Sequence, residues 1–122
     1  METVRTLSLI FKICHAAEWK TAEREGIYAG SAKDREDHFI HFSTAGQVRG
    51  TLERYYAGAG DLVLVAVDPK PLGPMLKYEP ARDGALFPHL YGTLPLTFVK
   101  WAKPIRRHAD RAFLLPREFT RL

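Results

Sequence analysis

The sequence predicts a single compact α+β domain, and three observations carry that reading. The chain has 122 residues, enough to bury one hydrophobic core and too few for two. Residues 7–14 place apolar side chains at every second position, and Leu62–Val67 is an unbroken apolar run, so both read as strands. Ala16–Glu25 and the stretch after Thr44 instead carry apolar residues at helical spacing. Composition is 46% hydrophobic and 26% charged, close to the globular average, which excludes disordered and fibrous classes.

The elements follow in chain order. In residues 7–14, Leu7, Leu9, Phe11 and Ile13 form one apolar face of a first strand. Trp19 and Ala22 are an i, i+3 pair within Ala16–Glu25, and Gly26 is placed to end that helix in the left-handed region. Residues 30–37 have no apolar pattern and read as a loop, after which residues 39–42 form a short strand. Thr44 and Gln47 make a capping box, and Val48, Leu52 and Tyr55 continue it as a second helix that ends before Gly58. Leu62–Val67 lies between Gly60-Asp61 and Asp68-Pro69 and needs apolar surroundings on both faces, so it is the candidate central strand. Pro69, Pro71, Gly73 and Pro74 break regular structure. Residues 75–79 read as a strand, Arg82–Gly84 as a tight turn, and residues 96–102 as a strand stopped by Pro104. Residues 112–122 carry no clear signal.

Charge and cysteine content narrow the classes further. The net charge is +4, but it is concentrated at the C-terminal end. From Lys100 onward seven basic residues face only Asp110 and Glu118, while residues 1–99 hold eleven basic and twelve acidic groups. A basic C-terminal segment, residues 106–122, on a nearly neutral body argues against nucleic acid as a partner and for a solvated tail. Cys14 is the one cysteine, so it forms no internal disulfide and reads as a small buried hydrophobe in a reducing, cytoplasmic setting. Lys12 interrupts the N-terminal apolar stretch, which therefore reads as neither a signal peptide nor a membrane span. The sequence has no dinucleotide-binding glycine motif, no P-loop and no nucleophile elbow. His38 and His41 would face opposite sides of a strand, and no histidine pair has the zinc-hydrolase spacing, so no metal is expected.

Three clusters in order carry a family resemblance: Phe39-Ile40-His41-Phe42-Ser43-Thr44 with Gln47-Val48, Asp61-Leu62-Val63-Leu64 with Val67-Asp68, and Phe87-Pro88-His89-Leu90-Tyr91-Gly92. Together they resemble bacterial domain-of-unknown-function family 952, as do Trp19 and Leu76-Lys77-Tyr78-Glu79, over residues 10–105. The resemblance implies a fold similar to the ADP-ribosyltransferase-like superfamily. That fold is a compact α+β domain with a split, mainly antiparallel sheet, two short helices and a cleft that holds NAD in active members. There a polar first-strand residue, a second-strand hydroxyl or aromatic residue and a later glutamate grip the nicotinamide ribose. Phe11-Lys12-Ile13 stands where members of family 952 often carry Tyr-His-Ile.

The residues themselves suggest where chemistry could sit. On an alternating strand His41 points away from Ile40 and Phe42, toward a cleft or solvent, together with Phe39. His41, Ser43 and Thr44 then lie beside the start of the second helix, where free N–H groups favour an anion. Equally, Thr44 could only cap that helix and His41 bond a neighbouring carbonyl. Pro88 and Gly92 put His89 and Tyr91 on a rigid loop, pointing the same way if extended, for one ligand or merely to anchor the backbone. Glu79 lies between Tyr78 and Pro80, which could desolvate it and raise its pKa for catalysis, or it could pair with Lys77 or Arg82 at the surface.

The leading expectation is therefore a domain that binds an anionic small molecule, NAD or another nucleotide, with a transferase reaction as the enzymatic form. His41 and Glu79 are its catalytic candidates, and Lys12, Ser43, Thr44, His89 and Tyr91 its ligand-binding candidates. The alternative is a non-catalytic module that binds RNA or protein through Arg106, Arg107 and Arg111.

Overall fold

The computed structural model describes residues 9–122. Leu7, counted above in the first strand, lies outside the described residues. The chain runs β1 (Ile10–His15), α1 (Ala16–Glu25), β2 (Ile27–Tyr28), α2 (Ala32–Asp37), β3 (Ile40–His41), β4 (Ser43–Thr44) and α3 (Val48–Tyr55). It continues through β5 (Leu62–Val67), β6 (Leu76–Pro80), β7 (Leu86–Leu90), β8 (Leu94–Pro95), β9 (Val99–Arg107), β10 (Phe113–Leu114) and α4 (Arg117–Thr120). The strands form three sheets: a five-stranded one in the order β10-β9-β5-β1-β4, a three-stranded one in the order β3-β7-β6, and the β2-β8 pair. Every pairing is antiparallel.

Both faces of the five-stranded sheet are covered, which is why β5 is apolar throughout and central. On one face Ile10, Cys14, Val65 and Val67 pack with Trp19 and Ala22 of α1 and with Ile40, Phe42 and Leu90 of the three-stranded sheet region. On the other, Phe11, Ile13, Leu64 and Ala66 meet Val48 and Leu52 of α3, Ile105 and Leu115. Each fully buried aliphatic side chain stabilises the fold by roughly 1.5–3 kcal/mol. The period-two face of β1 is thus only half of its buried surface, since Ile10, Lys12 and Cys14 are buried as well.

Four expectations change. Residues 39–42 are not one strand: Ile40–His41 pairs with β7, Ser43–Thr44 pairs with β1, and between them the Phe42 N–H donates to the Pro88 carbonyl at 2.9 Å. The loop over residues 30–37 contains α2, capped by Ser31, whose hydroxyl accepts from the Asp34 N–H at 3.1 Å while the Asp34 carboxylate accepts from the Ser31 N–H at 2.9 Å. Among the described residues four α-helices replace the expected two. The strand expected over residues 96–102 starts only at Val99, after a 3-10 turn over Leu96–Phe98, and runs through Pro104 to Arg107, since β10 covers only Arg106 and Arg107 and leaves Pro104 beside an open edge.

The C-terminal segment is part of the body. Leu115 is buried, and Phe119 packs edge-on against Phe11 at 5.2 Å between ring centres. The Arg107 guanidinium donates to the carbonyls of Ala57 at 3.0 Å and Ala59 at 3.3 Å, closing the turn that follows α3, and stacks on Phe113 at 4.1 Å. No helix of the described residues is long and apolar enough to cross a membrane.

Candidate functional site

The run from Phe39 to Thr44 decides where the site lies. It leaves the three-stranded sheet at His41 and enters the five-stranded sheet at Ser43, joining the two sheets at one point. Because β4 pairs only with Ile10 and Phe11, the edge of β1 is uncovered from Lys12 onward. A cleft of about 470 Å³ opens there, floored by Phe11, Lys12 and Ile13 and walled by α2, by α3 and by the hairpin between β6 and β7.

One polar cluster lies beneath α2. The Lys12 ammonium is 5% exposed and bonds both carboxylate oxygens of Asp34, at 2.9 and 3.1 Å. Asp34 also accepts from the His41 main-chain N–H at 3.1 Å and lies 2.6 Å from His41 Nδ1. His41 Nε2 is 2.9 Å from an Asp37 oxygen, so both ring nitrogens face carboxylates. Burial alone would raise the Asp34 pKa, but the hydrogen bond from His41 and the charge and hydrogen bond of Lys12 outweigh it. They hold the carboxyl well below the usual range.

A second cluster is built on the face of the three-stranded sheet opposite the one that sends Leu90 into the core. His89 pairs with His41 across β3 and β7, and with Lys77 across β6 and β7. Its Nδ1 lies 2.7 Å from Glu79 Oε1, and the Tyr91 hydroxyl donates to the same oxygen at 2.7 Å. Phe39 stacks on the His89 ring at 4.0 Å between centres, with 20° between planes, and touches Tyr91 and His41 as well. His89 is 5% exposed yet lines the cleft. Its δ nitrogen is therefore fixed by a carboxylate and its plane by a phenyl ring.

The structure brings Lys12, His41, Ser43 and His89 to one cleft lining; Thr44, Glu79 and Tyr91 stand outside that lining. Thr44 is spent locally, its N–H donating to Gln47 Oε1 at 3.0 Å. A turn of 3-10 helix over Ala45–Gln47 precedes α3, so the helix start does not present Thr44 to the cleft as expected. Ser43 is buried, its hydroxyl 3.2 Å from that of Thr51. Lys12 lines the cleft with its charge already committed to Asp34. His89 lies in strand β7 and not on a loop, with Tyr91 one residue beyond the strand. The expected rise in the Glu79 pKa is reversed: hydrogen bonds from Tyr91 and then His89 hold its carboxyl below the ordinary value. Its partners are these two rings, not Lys77 or Arg82.

Asp34, Asp37, Thr51 and Arg82 line the cleft as well, and sequence reasoning passed over their part in it. The spacing Ser31-x-x-Asp34 was a usable signal for a helix start and hence for Asp34. Nothing local marks Thr51 or Arg82. Among the described residues no group of three or more His, Cys, Asp or Glu is placed to hold a metal ion.

Fold and site together define an α+β domain whose antiparallel sheets part around a cleft with the Lys12–Asp34 pair in its lining. The chain belongs to DUF952, a family described as protein of unknown function, which matches residues 13–102. It is similar to protein CC0527 from Caulobacter crescentus, whose crystal structure is 40% identical over 93% of this chain and 99% of that one, with a TM-score of 0.86. The solution NMR structure of CC0527 gives a TM-score of 0.78 at 40% identity, covering 93% of this chain and 96% of that one. No curated protein matches.

Proposed function

We propose that this domain binds an anionic small molecule of the nucleotide class, NAD included, and uses His89 for proton transfer during a ribosyl or nucleotidyl transfer. The observation that carries the reading is the Glu79–His89 pair at the cleft, 2.7 Å apart and stacked on Phe39. A carboxylate on one imidazole nitrogen fixes the tautomer and directs the other nitrogen at a reacting group, the arrangement general acid–base catalysis requires. Glu79 accordingly acts as a positioning residue, with Tyr91 holding its carboxylate.

The cleft volume of about 470 Å³ lies within the range of small-molecule sites, roughly 300–1,000 Å³. Phe11, Tyr55, Tyr56 and Phe87 supply flat and apolar walls for a base or nicotinamide ring, and the hydroxyl of Ser43 suits a ribose. Lys12, paired with Asp34, gives the floor rigidity rather than a free charge. NAD fits this donor set, and in a ribosyl transfer it would supply the glycosidic bond to be broken. The alternative use of the basic segment loses support, since Arg107 is engaged with the turn after α3.

Titration calorimetry of NAD, ADP-ribose and AMP against the wild type tests the binding half. A ligand at one hundred times its Kd should stabilise the protein by about 2.7 kcal/mol. The catalytic half predicts that His89→Ala and Glu79→Gln each lower NAD turnover, by roughly tenfold to a hundredfold or more, with little change in affinity. Absence of binding by all three nucleotides removes the reading, and binding without turnover reduces the domain to a binder.

A further inference from the structure

The lining of the cleft carries three permanent cations, Lys12, Lys33 and Arg82, against two carboxylates, Asp34 and Asp37. Lys12 is taken by Asp34, and Lys33 lies 3.5 Å from Asp37. Among the described residues Arg82 makes no ion pair, so its charge is the one left over. Yet the guanidinium is not a free surface group. It lies over the Phe87 ring at 4.9 Å and the Tyr55 ring at 5.9 Å. One of its nitrogens is 3.5 Å from the Thr51 hydroxyl, and another would be 3.2 Å from a Cβ built on Gly50. Gly50, in the middle of α3, carries no side chain to crowd the guanidinium where it lies against the helix.

The short hairpin between β6 and β7 delivers Arg82 to that slot. Its turn needs Asp83 and Gly84 in the left-handed region, with φ of 58° and 77°. A planar guanidinium held by two rings and a hydroxyl keeps its remaining N–H donors in one orientation, which suits the paired oxygens of a phosphate or carboxylate.

Resting on the nucleotide-class reading above, we infer that Arg82 is the anion-recognising residue of the cleft. It takes a phosphate or carboxylate group of the ligand together with the Thr51 hydroxyl, while the flat part of the ligand lies deeper, toward His89.

Two probes and two variants test this. Wild type, Arg82→Gln and Arg82→Lys are titrated with AMP and with adenosine, which share the base and ribose and differ in the phosphate. In parallel, inorganic phosphate is titrated while the amide resonances of Thr51 and the guanidinium Nε–H of Arg82 are followed by NMR. Wild type should bind AMP at least about tenfold more tightly than adenosine, and phosphate alone should shift both resonances. Arg82→Gln should erase the preference without changing adenosine affinity, and Arg82→Lys should restore only part of it, because an ammonium lacks the fork. A preference for AMP that survives in Arg82→Gln overturns the assignment and leaves the nucleotide reading standing. Phosphate shifts at Arg82 and Thr51 without binding of either nucleoside compound would support the assignment and remove the nucleotide reading. No binding and no shift would remove both.

Discussion

At the scale of single residues, Asp34 organises the cleft floor. It is 2% exposed and receives Lys12 Nζ, the His41 main chain and the His41 ring. Burying a lysine is costly unless a carboxylate shares the site. Replacing Asp34 by Asn leaves Lys12 buried without its counter-charge, and should destabilise the fold by about 3–5 kcal/mol in urea unfolding. Adding Lys12→Met to that variant should recover part of the loss, since the uncompensated charge is gone. The same carboxyl gives a pH signature. Its folded pKa lies below the ordinary aspartate value of 3.8, so its contribution is fully present above that value and is lost as pH falls through it toward the folded value. Urea midpoints followed from neutral pH into acid should therefore fall more steeply for wild type than for Asp34→Asn; parallel slopes would contradict the role. Cys14 gives the opposite kind of test. Burial pushes its thiol up to about 12, so a disulfide reagent should react only after unfolding, and rapid native-state labelling would show the β1 packing to be wrong.

At the scale of elements, the features hidden from sequence reading share a cause: each depends on a partner distant in the chain. Helix α2 has no apolar stripe, and its one buried residue is Asp34, so periodicity is silent there and only the Ser31 cap speaks. Strand β7 contains Pro88 but tolerates it because the β3 pairing ends at His89, and beyond it the Pro88 carbonyl still accepts from the Phe42 N–H at 2.9 Å, a bond that needs no N–H from Pro88. The C-terminal segment looked like a solvated tail because its basic residues dominate the composition, whereas Phe113, Leu115 and Phe119 pack it onto the core. Arg107 fastens it. Arg107→Ala should cost about 1–3 kcal/mol in thermal or chemical unfolding, with Arg107→Lys recovering little, since one ammonium cannot reach several carbonyls.

At the scale of the whole molecule, the sheet splits after Phe11, and the cleft is the consequence. The charge of +4 is distributed so that the body is nearly neutral, and any nucleic-acid binding should be weak and steeply salt-dependent. Because the C-terminal segment is part of the core, its deletion would confuse binding with unfolding. Reversing the exposed Arg106 and Arg111 to Glu is the cleaner measurement, and tight binding that survives both changes would contradict a phosphate-contact origin. By itself the sequence determined the α+β class, the central place of β5, the first helix with its end at Gly26, and, for an extended segment, the shared direction of His89 and Tyr91 with their partner left open. Those features rest on local periodicity, turn chemistry and alternation along a strand. Tertiary structure alone decided that Glu79 is that partner, that Asp34 and not a ligand takes the charge of Lys12, and that Arg82 reaches α3. Pairings across 10, 22 and 31 residues are fixed by how the sheets part and fold over one another, and no local pattern encodes them.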